Sequence, residues 1–155
     1  MPAAWQEARA RNILHHHEGR EGSLLPILHD LQEEFGCVPE PAIPLIAETL
    51  NISRAEVHGV VSFYHDFREK PAGRHVLKLC RAEACQSMNA EAFAQKLLDH
   101  FDLDWNGTTP DGRLTVEPVY CLGLCASSPA ALLDGQPMAR LDKESIEEIS
   151  REVGR

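Results

Sequence analysis

Apolar and polar positions follow two different periods along this chain, and the change falls near Lys70-Pro71-Ala72-Gly73. Upstream, apolar residues recur every three to four positions, the spacing of a helix face. Leu24, Ile27, Leu28, Leu31 and Phe35 predict one such face, with Ser23 as N-cap and Gly36 as the C-terminal stop. Pro39 and Pro41 open a further segment carrying Ile43, Ile46 and Leu50. Ser53-Arg54-Ala55-Glu56 reads as a capping box, in which serine and glutamate each satisfy a free backbone donor. The helix it opens is expected to bury Val57, Val60, Val61 and Tyr64, with Phe63 and Tyr64 as core aromatics. A first helix over Trp5 to about His17 has only a thin stripe, Trp5 and Ile13 on an otherwise polar surface. Such a stripe predicts a bundle that packs against other subunits.

Downstream, strands and helices alternate. His75-Val76-Leu77-Lys78-Leu79 reads as a strand delivering Cys80 at its end. Ala90, Phe93, Ala94, Leu97, Leu98 and Phe101 form one helix face, and Leu114 to Val119 predict a second strand leading to Tyr120 and Cys121. Ala130 to Leu133 and Pro137 to Leu141 flank Asp134-Gly135, a hairpin signal. Asp142 can cap a last helix with Ile146, Ile149 and Val153 inward. The expected architecture is α+β: a small helical bundle over residues 1–70, then an α/β layer domain over residues 74–155.

Composition narrows the function. The 155 residues are 43% apolar, enough for a real core, and carry a formal net charge of -9. No basic stripe exists to displace phosphate counterions, which sets nucleic-acid binding aside. No apolar run approaches the roughly 18 residues of a membrane span, so no direct membrane insertion is expected. Met1-Pro2-Ala3-Ala4-Trp5-Gln6-Glu7 lacks a basic patch followed by an apolar core, and a cytoplasmic location follows as an expectation. In that reducing compartment, five cysteines, an odd number, point to metal or redox chemistry before disulfides.

Four of the cysteines form two pairs, Cys80-x4-Cys85 and Cys121-x3-Cys125, each just after a predicted strand. Loops there can turn all four thiolates toward one point. Gly123 lies between the second pair, where positive φ would aim backbone amides at sulfur. Four thiolates are the ligand count of a 2Fe–2S centre, and also of a structural zinc, whose ligand hairpins usually have shorter spacing. Spacing alone leaves iron–sulfur, zinc and buried or disulfide-forming thiols open. The chain has no Cys-x-x-Cys for a thioredoxin-type dithiol, and no histidine follows the four cysteines closely enough for a Rieske centre. Cys37 stands outside both loops and reads as a small buried thiol. His15-His16-His17 point about 100° apart on a helix and do not share one metal. Trp105 falls in a turn, covering the core edge, and Glu147 and Glu148 read as a solvated face.

At these motifs the sequence resembles the thioredoxin-like 2Fe–2S ferredoxin family. That family includes the small subunit of respiratory NADH:quinone oxidoreductase, gamma subunits of NAD-dependent formate dehydrogenases, and subunits of bidirectional NAD-linked hydrogenases. Phe35-Gly36-x-Val38-Pro39 is similar to the family's glycine-x-x-proline turn, and Glu56-Val57-His58-Gly59 through Phe63-Tyr64 to its glutamate-valine-x-glycine…phenylalanine-tyrosine helix. Cys121-Leu122-Gly123-Leu124-Cys125 with Pro129 is similar to its second ligand loop. The resemblance implies a thioredoxin-like second domain and one 2Fe–2S cluster on Cys80, Cys85, Cys121 and Cys125. Asn89 replaces a glycine common after the second cysteine, and Ala126-Ser127-Ser128 replaces a glycine-containing stretch before the proline. Arg81-Ala82-Glu83-Ala84, with Gln86, looks more like the formate dehydrogenase branch.

The chain has no G-x-G-x-x-G after a strand and no Walker loop. By the resemblance, FMN and NAD are expected in a partner subunit. This chain would be a non-catalytic electron-transfer subunit beside it, with a molybdenum-containing formate dehydrogenase catalytic subunit in the same complex. The alternatives are the respiratory or hydrogenase complexes, and, from another class, a zinc-stabilised interaction module.

Overall fold

The structure, a computed structural model, describes residues 4–154, so Met1-Pro2-Ala3 of the N-terminal reading lie outside the described residues. The chain divides into two compact units, Met1–Pro71 and Ala72–Arg155. The first holds four helices, α1 (Glu7–His16), α2 (Leu24–Phe35), α3 (Ala42–Leu50) and α4 (Arg54–Phe63). Ile27, Leu28, Leu31, Ile46 and Val57 are completely buried at its centre. Their spacing on α2 places three leucine-sized groups on one stripe, and truncating any one to alanine would cost about 2–5 kcal/mol.

Helix ends follow local chemistry. Gly36 ends α2 at φ 75°, a left-handed conformation that glycine adopts without a Cβ clash. Ser53 and Glu56 form the capping box of α4, each side chain accepting from the other's backbone N–H. Ser23 occupies the N-cap position of α2 but is helical itself and makes no side-chain cap. The thin stripe of α1 reaches this unit's own core: Ala10 and Leu14 are buried, and the Trp5 ring lies 5.3 Å from that of Phe35. His17 is buried and hydrogen-bonds Asp30 at 2.6 Å, while His15 pairs with Glu18. The histidine run is thereby split between separate carboxylates.

One expectation fails here. Val57 and Val61 are buried, but Val60 is only partly so, and Phe63 and Tyr64 are exposed rather than core aromatics. Phe63 lies six residues from Val57, about 240° around the helix and off its buried face. Tyr64 would share that face in a longer helix, but its backbone is already extended, at φ −89° and ψ 111°.

The second unit is built on β1 (His75–Cys80), β2 (Leu114–Val119), β3 (Ala130–Leu133) and β4 (Gln136–Ala139), in the spatial order β2-β1-β3-β4. β1 runs parallel to β2 and antiparallel to β3, and β3 turns into β4 across Asp134-Gly135. Two prolines, Pro118 and Pro137, sit on the two edge strands, the positions where a missing N–H disturbs no ladder. Helices α5 (Glu83–Ser87) and α6 (Ala90–Phe101) lie in the β1-to-β2 connection, and α7 (Lys143–Val153) closes the chain.

Leu77, Leu97, Leu114, Val116 and Ile149 are fully buried between sheet and helices. Asp142 caps α7 through the Ser145 N–H at 3.0 Å, and its hydrogen bonds with Ser145 hold its carboxyl below the usual carboxylate range. Asn89 starts α6 at φ 63°, a left-handed conformation that asparagine tolerates. The architecture is α+β: helices first, then a four-stranded mixed sheet with helices. No helix among the described residues is long and apolar enough to cross a membrane.

Candidate metal centre

The parallel register of β1 and β2 brings the two cysteine loops together. Cys80 is the last residue of β1 and lies opposite Val119, the last of β2, so Cys121 follows only two residues past that pair. The Arg81 N–H donates to the Val119 carbonyl at 2.8 Å and extends the link beyond the strands. Cys85 is delivered by α5, a single short turn of helix that the sequence pattern did not reveal. Cys125 opens a 3₁₀ turn, Cys125–Ser127.

The four thiols are neighbours. Cys121 Sγ lies 3.6 Å from Cys125 Sγ, and the Cys80 and Cys85 thiols hydrogen-bond one another. Cys125 also feels the charges of Cys121, Cys85 and Cys80, and with the Cys121 hydrogen bond leading these effects, its thiol is pushed up from the ordinary value. Backbone amides converge on sulfur. Burial pushes the Cys80 thiol up, but the amides of Ala82, Cys121 and Leu122 and the Cys85 thiol outweigh it and bring Cys80 below the ordinary value. Gly123, at φ 75°, donates its N–H to Cys121 Sγ at 3.4 Å. Cys121 itself is held at φ 82°, a conformation costing a non-glycine residue on the order of 1–3 kcal/mol.

The surroundings are apolar and small. Cys80 and Cys85 are buried with Ala90 and Ala130, and Ala82, Val119, Leu122 and Leu124 pack against them. Ser128, in the stretch that replaces the family's glycines, donates its hydroxyl to the Cys125 carbonyl at 2.7 Å and sits 3.5 Å from Cys85 Sγ. It ties one loop to the other. Sequence reasoning missed this, since a lone serine carries no pattern. Cys37 is buried in the first unit, and burial raises its thiol. Among the described residues no group of three or more His, Cys, Asp or Glu is arranged to hold a metal ion by geometry alone. The donors are two thiol pairs with amides aimed at them, a set that chemically fits a binuclear iron–sulfur group, two thiolates to each iron.

These features define a small mixed-sheet protein that gathers four thiols where two parallel strands end. Over residues 10–154 the chain matches the family described as thioredoxin-like 2Fe–2S ferredoxin, and it belongs to that family. It is 33% identical to a subunit of NADH-quinone oxidoreductase from Escherichia coli over 149 residues, 96% of this chain and 89% of that one. It is 35% identical to the like-named polypeptide of Pseudomonas aeruginosa over 121 residues, 78% of this chain and 73% of that one. The NADP-reducing hydrogenase subunit HndA of Solidesulfovibrio fructosivorans is 29% identical over 86% of this chain and 78% of its own length. Among solved structures, the NAD+-reducing NiFe-hydrogenase in the air-oxidized state superposes with a TM-score of 0.73 at 26% identity. That match covers 85% of this chain but only 23% of the hydrogenase chain.

Proposed function

We propose that this chain is an electron-transfer subunit of an NAD(H)-linked oxidoreductase and holds one 2Fe–2S cluster on Cys80, Cys85, Cys121 and Cys125. The convergence of the four thiols, with amides directed at Cys80 and Cys121, carries this reading. Bound there, the group supplies one-electron chemistry. The protein's own residues do the rest. Backbone hydrogen bonds to the Cys80 sulfur bring its thiol below the ordinary value and so favour the thiolate, the ligating form. Ala90, Ala130 and the flanking leucines exclude water from the buried pair. Hydride chemistry on NAD and its flavin belong, in this reading, to a partner subunit.

The relatives named above are subunits of NADH-quinone oxidoreductase and of a hydrogenase, and they favour a complex of that kind. A formate dehydrogenase with a molybdenum-containing partner is the second reading. Its support is the stretch Arg81-Ala82-Glu83-Ala84 with Gln86. Co-purification separates the two: formate-oxidising activity with molybdenum favours the second, quinone- or hydrogen-linked partners the first.

The test of the cluster is metal analysis with spectroscopy. About two irons and two labile sulfides per chain, and one unpaired spin after reduction, are expected. One zinc in a colourless protein would overturn the reading in favour of an interaction module.

A further inference from the structure

Arg81 immediately follows the first cysteine, and its contacts reach in four directions. Its guanidinium forks onto Glu91 of α6, Nε to Oε2 at 3.2 Å and Nη2 to Oε1 at 3.1 Å. The same group lies 4.7 Å from the centre of the Trp105 ring, which packs against the core from the loop before β2. Its carbonyl accepts from the Gln86 side chain at 2.7 Å, closing the Cys80-to-Cys85 loop. Its N–H donates to Val119, two residues before Cys121. The side chain is 28% exposed, so solvent does not fully release it.

We propose that Arg81, clamped by Glu91 and Trp105, is a positioning residue that sets the register of the two cysteine loops against each other. The inference rests on the four-cysteine reading above. An arginine forked on a carboxylate and stacked on an indole has little freedom, and a lysine cannot reproduce both contacts. With the side chain fixed, the backbone at Arg81 is fixed too, and it carries the hydrogen bonds to Gln86, which closes the first loop, and to Val119, the end of β2 from which the second loop leaves. Amides of Cys121 and Leu122, on the second loop, point at Cys80 on the first. Those bonds survive only while the loops keep their register. Amide hydrogen bonds to sulfur favour the more negative, reduced state, so losing them lowers the reduction potential.

Positioning and simple charge make opposite predictions. The experiment compares Arg81→Lys, Glu91→Ala and Trp105→Leu in the full chain, reading midpoint potential, reduced-state electron paramagnetic resonance line shape and melting temperature. If Arg81 positions the loops, Glu91→Ala and Trp105→Leu both lower the potential and alter the line shape. A tenfold change in the reduced-to-oxidised ratio, about 59 mV for one electron, is the expected scale. Arg81→Lys keeps the charge and shifts the same way. If only charge matters, Glu91→Ala raises the potential, while Trp105→Leu and Arg81→Lys leave it unchanged. That pattern overturns the inference, as do unchanged potentials with merely lower melting temperatures. Glu91 is half exposed, so its variant folds and decides the sign even where Trp105→Leu is unstable. Failure of the underlying reading would look different, because the unsubstituted chain would then show no binuclear spectrum at all.

Discussion

The two cysteine pairs are built in contrasting ways. Cys80 and Cys85 are 4% and 2% exposed, seated on a strand end and a short helix. Cys121 and Cys125 are exposed, on a loop whose backbone turns left-handed at both Cys121 and Gly123. One pair forms part of a wall fixed by the packed unit. The other stands in solvent, placed by backbone conformation and by Ser128. A site made this way has a rigid half and an adjustable half: folding fixes the first, and the second can close on an inorganic group arriving from solution. All four should be needed for binding, but only the buried pair should matter for stability without it.

The largest effect is on binding itself. Cys80→Ser or Cys121→Ser is expected to abolish most of the visible absorption of the loaded protein, despite their different exposure. Cys37→Ser, in the other unit, should leave it intact. Bleaching by that substitution would mean that the ligand set is wrong. Next comes access. In the metal-free protein, iodoacetamide followed by peptide mass spectrometry should label Cys121 and Cys125 at least about tenfold faster than Cys37, Cys80 and Cys85, since buried thiols react only on local opening. Equal rates would show that the buried wall forms only around the cluster.

Smaller is the effect on folding. Cys85→Ala removes a buried sulfur from a cluster of apolar side chains and should cost the metal-free protein about 1–2 kcal/mol. Cys125→Ala, at an exposed position, should stay within about 0.5 kcal/mol. Urea unfolding of the two variants checks the difference. Equal losses would erase the contrast between the pairs.

Much of this was legible in the chain. β2 could be read from Leu114 to Val119 because Leu114 and Val116 fall at alternating positions in a stretch rich in β-branched residues, with Cys121 two residues past its end, and α7 because Asp142 caps a regular Ile146, Ile149, Val153 face. Both cysteine loops could be placed at strand ends. The rest lacked the necessary length or lay in tertiary contacts. α5 spans five residues, too few for any periodicity to show. Phe63 and Tyr64 look like core by composition, and only the helix phase and the extended backbone at Tyr64 turn them outward. The clamp on Arg81 joins residues 10 and 24 positions away from it, and nothing local announces such a pairing. Ser128 donates to the Cys125 carbonyl and lies beside Cys85, a pair of contacts that no local pattern announces.

Gly123 offers the finest test of the adjustable half. Its φ is 75°, and a Cβ added there would meet nothing within 4 Å. Gly123→Ala therefore carries no clash with the rest of the chain and isolates the left-handed preference, a cost of about 1 kcal/mol. Gly123→Asn should cost only a few tenths, because asparagine enters that region more readily. The Gly123 N–H donates to Cys121 Sγ, so any drift of the backbone toward negative φ weakens that bond. Alanine should then lower the reduction potential slightly, with asparagine close to the unsubstituted protein. If both variants match it in potential and urea midpoint, the left-handed turn at Gly123 is incidental, and the exposed loop is held by Ser128 and the register at Arg81 alone.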